Sequence, residues 1–126
     1  MNIPKELKYT KTHEWIRVEG DVAVVGITDH AQHELTDIVY VEVPAVGAQV
    51  AAAGECAVVE SVKSASDIYS PVSGQVVAAN AELGSAPELL NRDPYGKGWM
   101  FKVKLSNPGE LHELLNADDY SSHIAA

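Results

Sequence analysis

The clearest alternation of apolar and polar positions runs from Trp99 to Leu105. Trp99, Phe101, Val103 and Leu105 alternate there with Met100, Lys102 and Lys104. A period of two predicts a half-buried strand with Met100 and the two lysines on its outer face. Two β-rich runs, Trp15 to Val18 and Val22 to Val25, flank Glu19-Gly20-Asp21 and predict a hairpin. Ile38 to Val43 predicts a further strand, with Val39, Val41 and Val43 on one face and Pro44 ending its pairing. The run Cys56 to Val62 is too short and too β-branched to prefer a helix, and Gln75 to Ala79 follows Pro71 and Gly74 as another strand. Gly54 before Lys63 and Gly74 after it suggest two similar β halves meeting at the lysine turn.

Helical signals are brief and lie between these strands. Thr28 is placed to cap a helix from Asp29 to Leu35, with Asp29 at the positive end of its dipole. Ser85-Ala86-Pro87-Glu88 reads as a capping box opening a short helix through Leu89 and Leu90 that ends at Asn91. Asn107-Pro108-Gly109-Glu110 predicts a helix start, with Leu111, Leu114 and Leu115 as its apolar stripe. The tail from Asp118 to Ala126 has the composition for one more helical turn. Many short strands punctuated by Gly and Pro predict a mainly β fold, a compact antiparallel sandwich or small barrel with peripheral helices.

Length and composition narrow this further. The 126 residues fit one domain over 1–126, and 46% hydrophobic against 21% charged residues is an ordinary globular balance. The formal charge of -9 repels phosphate backbones and anionic lipid, which argues against nucleic-acid and membrane-surface partners. The lone Cys56 cannot form an internal disulfide, and its place in an apolar strand predicts packing rather than a reactive thiol. The start of the chain lacks an apolar run long enough for a signal peptide or membrane span, so a cytoplasmic location is expected.

Candidate chemistry is sparse. No nucleophile elbow, catalytic-cysteine context or phosphate-cradling glycine loop is present, so no catalytic residue is assigned. His30 and His33 share a helical face but lack a third ligand at a recognisable spacing, so no metal site is expected, and the five histidines read as scattered surface residues. One residue stands apart. Between Val18 and Asn91 there are eleven acidic side chains and a single basic one, Lys63. The ordinary role of such a lysine is a solvated turn. Its isolation, between small and β-branched residues, fits a second role as a displayed and modifiable amine. A free lysine amine has a pKa of roughly 10.4, so it accepts an acyl group only when an enzyme binds it and removes the proton. Prominence on a rigid hairpin tip serves that purpose.

The residues around Lys63 carry a resemblance. Glu60-Ser61-Val62-Lys63, continuing through Ser66-Asp67-Ile68-Tyr69-Ser70-Pro71-Val72-Ser73-Gly74, closely resembles the lipoyl-lysine signature of the glycine cleavage system H protein family. Leu7-Lys8-Tyr9, His13-Glu14-Trp15, Gly26 to Gln32, Pro94-Tyr95 and Gly98-Trp99 are also similar to that family, in order and at its spacing. The resemblance implies a flattened antiparallel β-sandwich, the barrel-sandwich hybrid of lipoyl and biotinyl carriers. It implies lipoic acid in amide linkage to Lys63 as N6-lipoyllysine, on a carrier that is not itself an enzyme. Its implied partners are the P protein (glycine decarboxylase), which loads an aminomethyl group, and the T protein (aminomethyltransferase), which passes the one-carbon unit to tetrahydrofolate. The L protein (dihydrolipoamide dehydrogenase) reoxidises the arm, and a lipoate ligase or a lipoyl/octanoyl transferase attaches it.

By position, Glu14, Asp67 and Thr12 match a cleft that shelters the loaded arm, with Thr12 keeping the hydroxyl of a more common serine. Plant-type members carry a histidine where this chain has Glu34. Its own His33 sits one residue earlier, about 100° round a helix, and does not simply replace it. Two alternatives stand beside this reading. One is a lipoyl or biotinyl domain of another complex, for which Val62 and Ser64 are poor flanks of the lysine. The other is a non-catalytic adaptor with the same fold.

Overall fold

The computed structural model describes residues 1–125 and consists of two antiparallel sheets. In chain order the strands are β1 (Lys8–Tyr9), β2 (Glu14–Glu19), β3 (Val22–Ile27), β4 (Ile38–Glu42), β5 (Gln49–Val50), β6 (Glu55–Ser61), β7 (Ala65–Tyr69), β8 (Gly74–Ala79) and β9 (Phe101–Leu105). Three α-helices accompany them: α1 (Asp29–Leu35), α2 (Leu89–Arg92) and α3 (Ala117–Ala125). One sheet has six strands in the order β1-β2-β3-β9-β8-β5, and the other has three in the order β4-β6-β7. This is the mainly β sandwich with short helices that the pattern predicts. Ala126 at the end of the predicted tail lies outside the described residues.

The main core lies between the sheets. Ile16, Val25, Val76, Phe101 and Val103 meet Val41, Ala57, Val59 and Ile68 there. Burying a side chain of this size contributes about 1.5–3 kcal/mol. A second cluster gathers Leu7, Tyr9, Trp15, Val24, Ala117 and Tyr120. Because the two clusters take alternate residues of β2, Glu14, Trp15 and Ile16 are all buried. The indole of Trp15 lies over Gly26, where an added Cβ would come within 2.6 Å of its Nε1, and that Nε1–H donates to the Pro94 carbonyl at 2.9 Å.

The chain around Lys63 pairs with itself in nested layers. β6 pairs with β7, the Ser70 N–H donates to the Gly54 carbonyl at 2.8 Å, and β5 pairs with β8 outside them. The two β halves read from Gly54 and Gly74 thus meet at the lysine turn, although β8 belongs to the larger sheet.

Several local expectations are revised. Val39 is 54% exposed while Val41 is buried, because a register shift between Ile38 and Tyr40 breaks the period of two and turns Ile38 inward with Val41. Met100 is fully buried: it precedes β9, and its N–H pairs with the Val25 carbonyl, outside the regular alternation. The expected capping box at Ser85 does not form. Asn80 instead caps a 3-10 turn over Ala81–Gly84, the Ser85 hydroxyl donates back to the Glu82 carbonyl, and α2 starts without a side-chain cap. Pro108–Glu113 is a 3-10 helix rather than an α-helix. Asn107 caps it as expected, but the Glu110 carboxylate reaches across to accept from the Ser73 N–H and hydroxyl, both at 2.8 Å. Leu115 leaves the expected stripe to bridge to Tyr9.

Candidate functional site

Lys63 is exposed in the three-residue connection between β6 and β7. Ser61 shapes this turn. Its hydroxyl oxygen accepts from the Ser64 N–H at 3.1 Å and the Lys63 N–H at 3.3 Å, and the Ser61 N–H donates to the Ser64 carbonyl at 2.7 Å. The turn is braced from behind by the Val62 N–H, which donates to the Asp37 carbonyl at 3.0 Å. Among the described residues only Arg17–Glu19 and His30–Glu34 lie within ion-pair distance, so the Lys63 ammonium is held by no carboxylate. The turn therefore presents a free amine on a backbone fixed by its own hydrogen bonds.

A hollow of about 150 Å³ is lined by Ile27, Ala31, Glu34 and Leu35 on one side, Ser66 and Ile68 on another, and Thr12 and His13. Ser66 is three residues from Lys63 along the chain, at most about 10 Å away. The α1 wall is fixed at both ends. The Thr28 hydroxyl oxygen accepts from the Ala31 N–H at 3.2 Å as the predicted cap. The side-chain amide of Asn91 donates to the Thr36 carbonyl at 2.8 Å and to Gln32 Oε1 at 3.0 Å.

Glu14 is 1% exposed and sits behind Thr12. One carboxylate oxygen accepts from the hydroxyls of Thr10 and Thr12, both at 2.5 Å, and the other accepts from the Tyr69 N–H at 3.3 Å. Burial raises its pKa above the usual carboxylate range, and the bonds from Thr10, Thr12 and Tyr69 oppose that rise. A second hollow, about 280 Å³, opens on the other side of Thr12 and Glu14, toward Ala52, Pro71, Glu110 and Glu113. Thr12 thus lines both hollows, and Glu14 lines the second.

Of the residues singled out by sequence, Thr12 lines the first hollow and Glu14 supports it from beneath. Asp67 does not join them: Ser66 and Ile68 turn inward, and Asp67, on the opposite pleat of β7, is exposed. Glu34 lines the hollow, while His33 does not. No group of three or more His, Cys, Asp or Glu among the described residues is arranged to hold a metal ion. Three of the five histidines, expected to be scattered, lie together. The His13 ring lies 4.7 Å from that of His30 and 6.0 Å from that of His123, between centroids. Nothing in the local pattern indicated this, because the three residues come from the β1–β2 turn, α1 and α3.

Cys56 is half-buried with its thiol directed at the Ile68 carbonyl, 3.6 Å away. Burial, followed by the charges of Glu14 and Glu55, pushes its pKa up to about 12. Its thiolate is accordingly scarce, and a disulfide reagent at pH 8 is expected to label the native protein at least about tenfold more slowly than the urea-unfolded chain. Equal rates in a stopped time course would show the thiol to be free.

Chemically, the assembly offers an exposed acylatable amine and a hollow whose apolar walls can take a hydrocarbon chain and whose lining includes the Thr12 hydroxyl and the Glu34 carboxylate. That donor set fits an acylated lysine whose arm folds back along β7. It contains no nucleophile paired with a base. Residues 7–126 match the family model described as Glycine cleavage H-protein. Proteins named glycine cleavage system H protein from Aeromonas hydrophila and Carboxydothermus hydrogenoformans are 60% and 56% identical to this chain. The first alignment covers 98% of this chain and 96% of the relative, and the second 94% and 91%. The crystal structure of a glycine cleavage system H protein from Mycobacterium marinum superposes with a TM-score of 0.90 at 39% identity, covering 98% of this chain and all of that one.

Proposed function

The chain belongs to the glycine cleavage H-protein family, and from that premise we propose that Lys63 bears its lipoyl arm and that the hollow between α1 and β7 shelters the arm's cargo. The protein is a lipoyl carrier of the glycine cleavage system and not a catalyst. Its whole length, 1–126, serves as one carrier domain working in the cytoplasm. Among the described residues no helix is long and apolar enough to cross a membrane. Its partners are the P protein, which loads the arm with the aminomethyl group of glycine, the T protein, which unloads it to tetrahydrofolate, and the L protein, which reoxidises it. A lipoate ligase or a lipoyl/octanoyl transferase attaches the arm. When bound, the lipoyl group supplies a disulfide that is reduced as it takes up the aminomethyl unit.

The chain's own residues provide reach and shelter. The observation that carries this reading is the position of Lys63, exposed on a hydrogen-bonded turn three residues before Ser66, which lines a hollow together with Thr12, Ile27, Ala31 and Leu35. Ile27, Ala31, Leu35 and Ile68 exclude water from an arm laid along β7. Thr12 offers its hydroxyl at the polar end. Glu14 holds that hydroxyl in place and supplies the negative charge that a cationic amine requires.

Peptide mapping of protein from a lipoylating host tests the attachment, with the lipoyl mass expected only on the peptide containing Lys63; finding it on another lysine removes the assignment. The shelter is tested separately. Glu14→Gln is expected to shorten the life of the loaded cargo several-fold while lipoylation proceeds normally. Asp67→Asn, altering an exposed side chain outside the hollow, is expected to have the smaller effect. Hydrolysis followed by formaldehyde release would decide, and equal lifetimes in wild type and Glu14→Gln would remove Glu14 from this role and the cleft reading with it.

A further inference from the structure

His13 is the only member of the three-histidine cluster that lines the hollow. It occupies a positive-φ position at 74°, which ends the tight β1–β2 turn, and its carbonyl accepts from the Thr28 N–H at 3.0 Å, at the start of α1. Its Nδ1 lies 2.9 Å from the Tyr120 hydroxyl, which lies 2.7 Å from the Thr28 hydroxyl. Thr28 Oγ1 already accepts from the Ala31 N–H.

One assignment places both hydroxyl hydrogens of this relay on acceptors. Thr28 O–H donates to Tyr120 Oη, and Tyr120 O–H donates to His13 Nδ1. The imidazole is then neutral, with its proton on Nε2. With a proton added at Nδ1, Nδ1–H donates to Tyr120 Oη, and whichever way the Tyr120 and Thr28 hydroxyls then turn, one of their two hydrogens is left without an acceptor in the relay. The surroundings act in the same direction. Burial, then the neighbouring His30 and His123, hold His13 below the ordinary histidine range, and Glu34 opposes them.

We propose that His13 is a further residue of the arm cleft, presenting a neutral imidazole wall to the cationic amine of the cargo, so that its protonation expels that cargo. This rests on the reading of the α1–β7 hollow as the cleft. The groups around the ring are His30 and Glu34 on α1 and Tyr120 and His123 on α3, and its charged neighbours in the chain are Lys11 in the preceding turn and Glu14 at the start of β2. Lys11 is engaged through its carbonyl, which accepts from His123 Nε2 at 3.1 Å. From β7 the hollow receives only the uncharged Ser66 and Ile68.

A second positive charge in so small and partly dry a space repels an ammonium strongly, whereas a neutral ring leaves Thr12 and Glu14 to hold it. The coupling is reciprocal: if a proton on His13 weakens retention of the cargo, the cargo makes His13 harder to protonate by the same factor.

The test is an NMR titration of the imidazole resonances of the lipoylated full-length chain, with the arm unloaded and with the aminomethyl group loaded. His13 is assigned by loss of its signal in His13→Gln. Its midpoint is expected to fall on loading, by about one pH unit for every tenfold by which protonation weakens retention. In unloaded Tyr120→Phe, where nothing donates to Nδ1 from that side, the His13 midpoint is expected to rise. If loading leaves the His13 midpoint unmoved while Glu14→Gln still shortens retention, the inference is overturned and the cleft stands. Unchanged retention in Glu14→Gln removes the cleft reading and this inference with it.

Discussion

A Lys63→Arg protein is expected to emerge from a lipoylating host without any lipoyl mass and to support no glycine cleavage when mixed with the three partner proteins. The loss is total because the substitution acts on a bond rather than on an affinity. Acylation needs a neutral amine nitrogen, and a guanidinium keeps its proton throughout the accessible pH range. Positive charge and side-chain length are nearly preserved, so a deficit cannot be assigned to altered electrostatics at the tip. The fold should be indifferent. Lys63 is exposed, its ammonium is in no ion pair among the described residues, and the turn is held by Ser61 through backbone N–H groups that arginine also has. Unchanged far-UV dichroism and thermal midpoint beside an unmodified intact mass would complete the result. A lipoylated Lys63→Arg protein would move the attachment site elsewhere in the chain.

The second large effect belongs to the scaffold. Gly74 opens β8 between β5 and β9, opposite Val50 on one side and Leu105 on the other. A Cβ built there falls 1.9 Å from the Lys104 carbonyl oxygen and 2.8 Å from Val103 Cγ1. The oxygen is main chain in a paired strand and cannot swing aside as a flexible side-chain end could. Accommodating Gly74→Ala means parting β8 from β9, which loosens Val76, Phe101 and Val103 at the centre of the core. A loss of about 3 kcal/mol or more is expected, among the larger effects of a single methyl group. A urea midpoint well below wild type with an unchanged slope would show it. The β6–β7 turn lies in the other sheet, so the folded fraction should still be lipoylated at Lys63. A midpoint within error of wild type would mean that the β8–β9 pairing yields more readily than its geometry indicates.

These two positions differ in how openly the sequence displays them. Lys63 is legible from its neighbours alone: one cation in an acidic tract, between small and β-branched residues, in a motif that resembles a lipoyl-lysine signature. Gly74 is visible as punctuation, but the reason it must be glycine is a carbonyl thirty residues further on.

What the sequence determines by itself is what depends on near neighbours. Alternation placed β9, the Gly20 connection placed the β2–β3 hairpin, and Thr28 with Asp29 placed the start of α1, since strand pleat, turn conformation and helix capping are decided within a few residues. Where a second surface covers the element, that reasoning fails. Three consecutive residues of β2 are buried because a different cluster covers each face, and a bulge in β4 exposes Val39 although it belongs to the same apolar run as Val41.

The cleft is decided almost wholly by tertiary structure. Glu14 becomes a buried carboxylate only when Tyr69 arrives beside it from 55 positions away, and His13 acquires its hydroxyl partner from Tyr120, 107 positions away. Asp67 stands beside the lining residues in the chain and outside the hollow in space, because one step along a strand reverses the side chain. The lysine proposed to carry the arm is therefore written locally, and the groups proposed to receive its cargo come together only once the two sheets, α1 and α3 have packed.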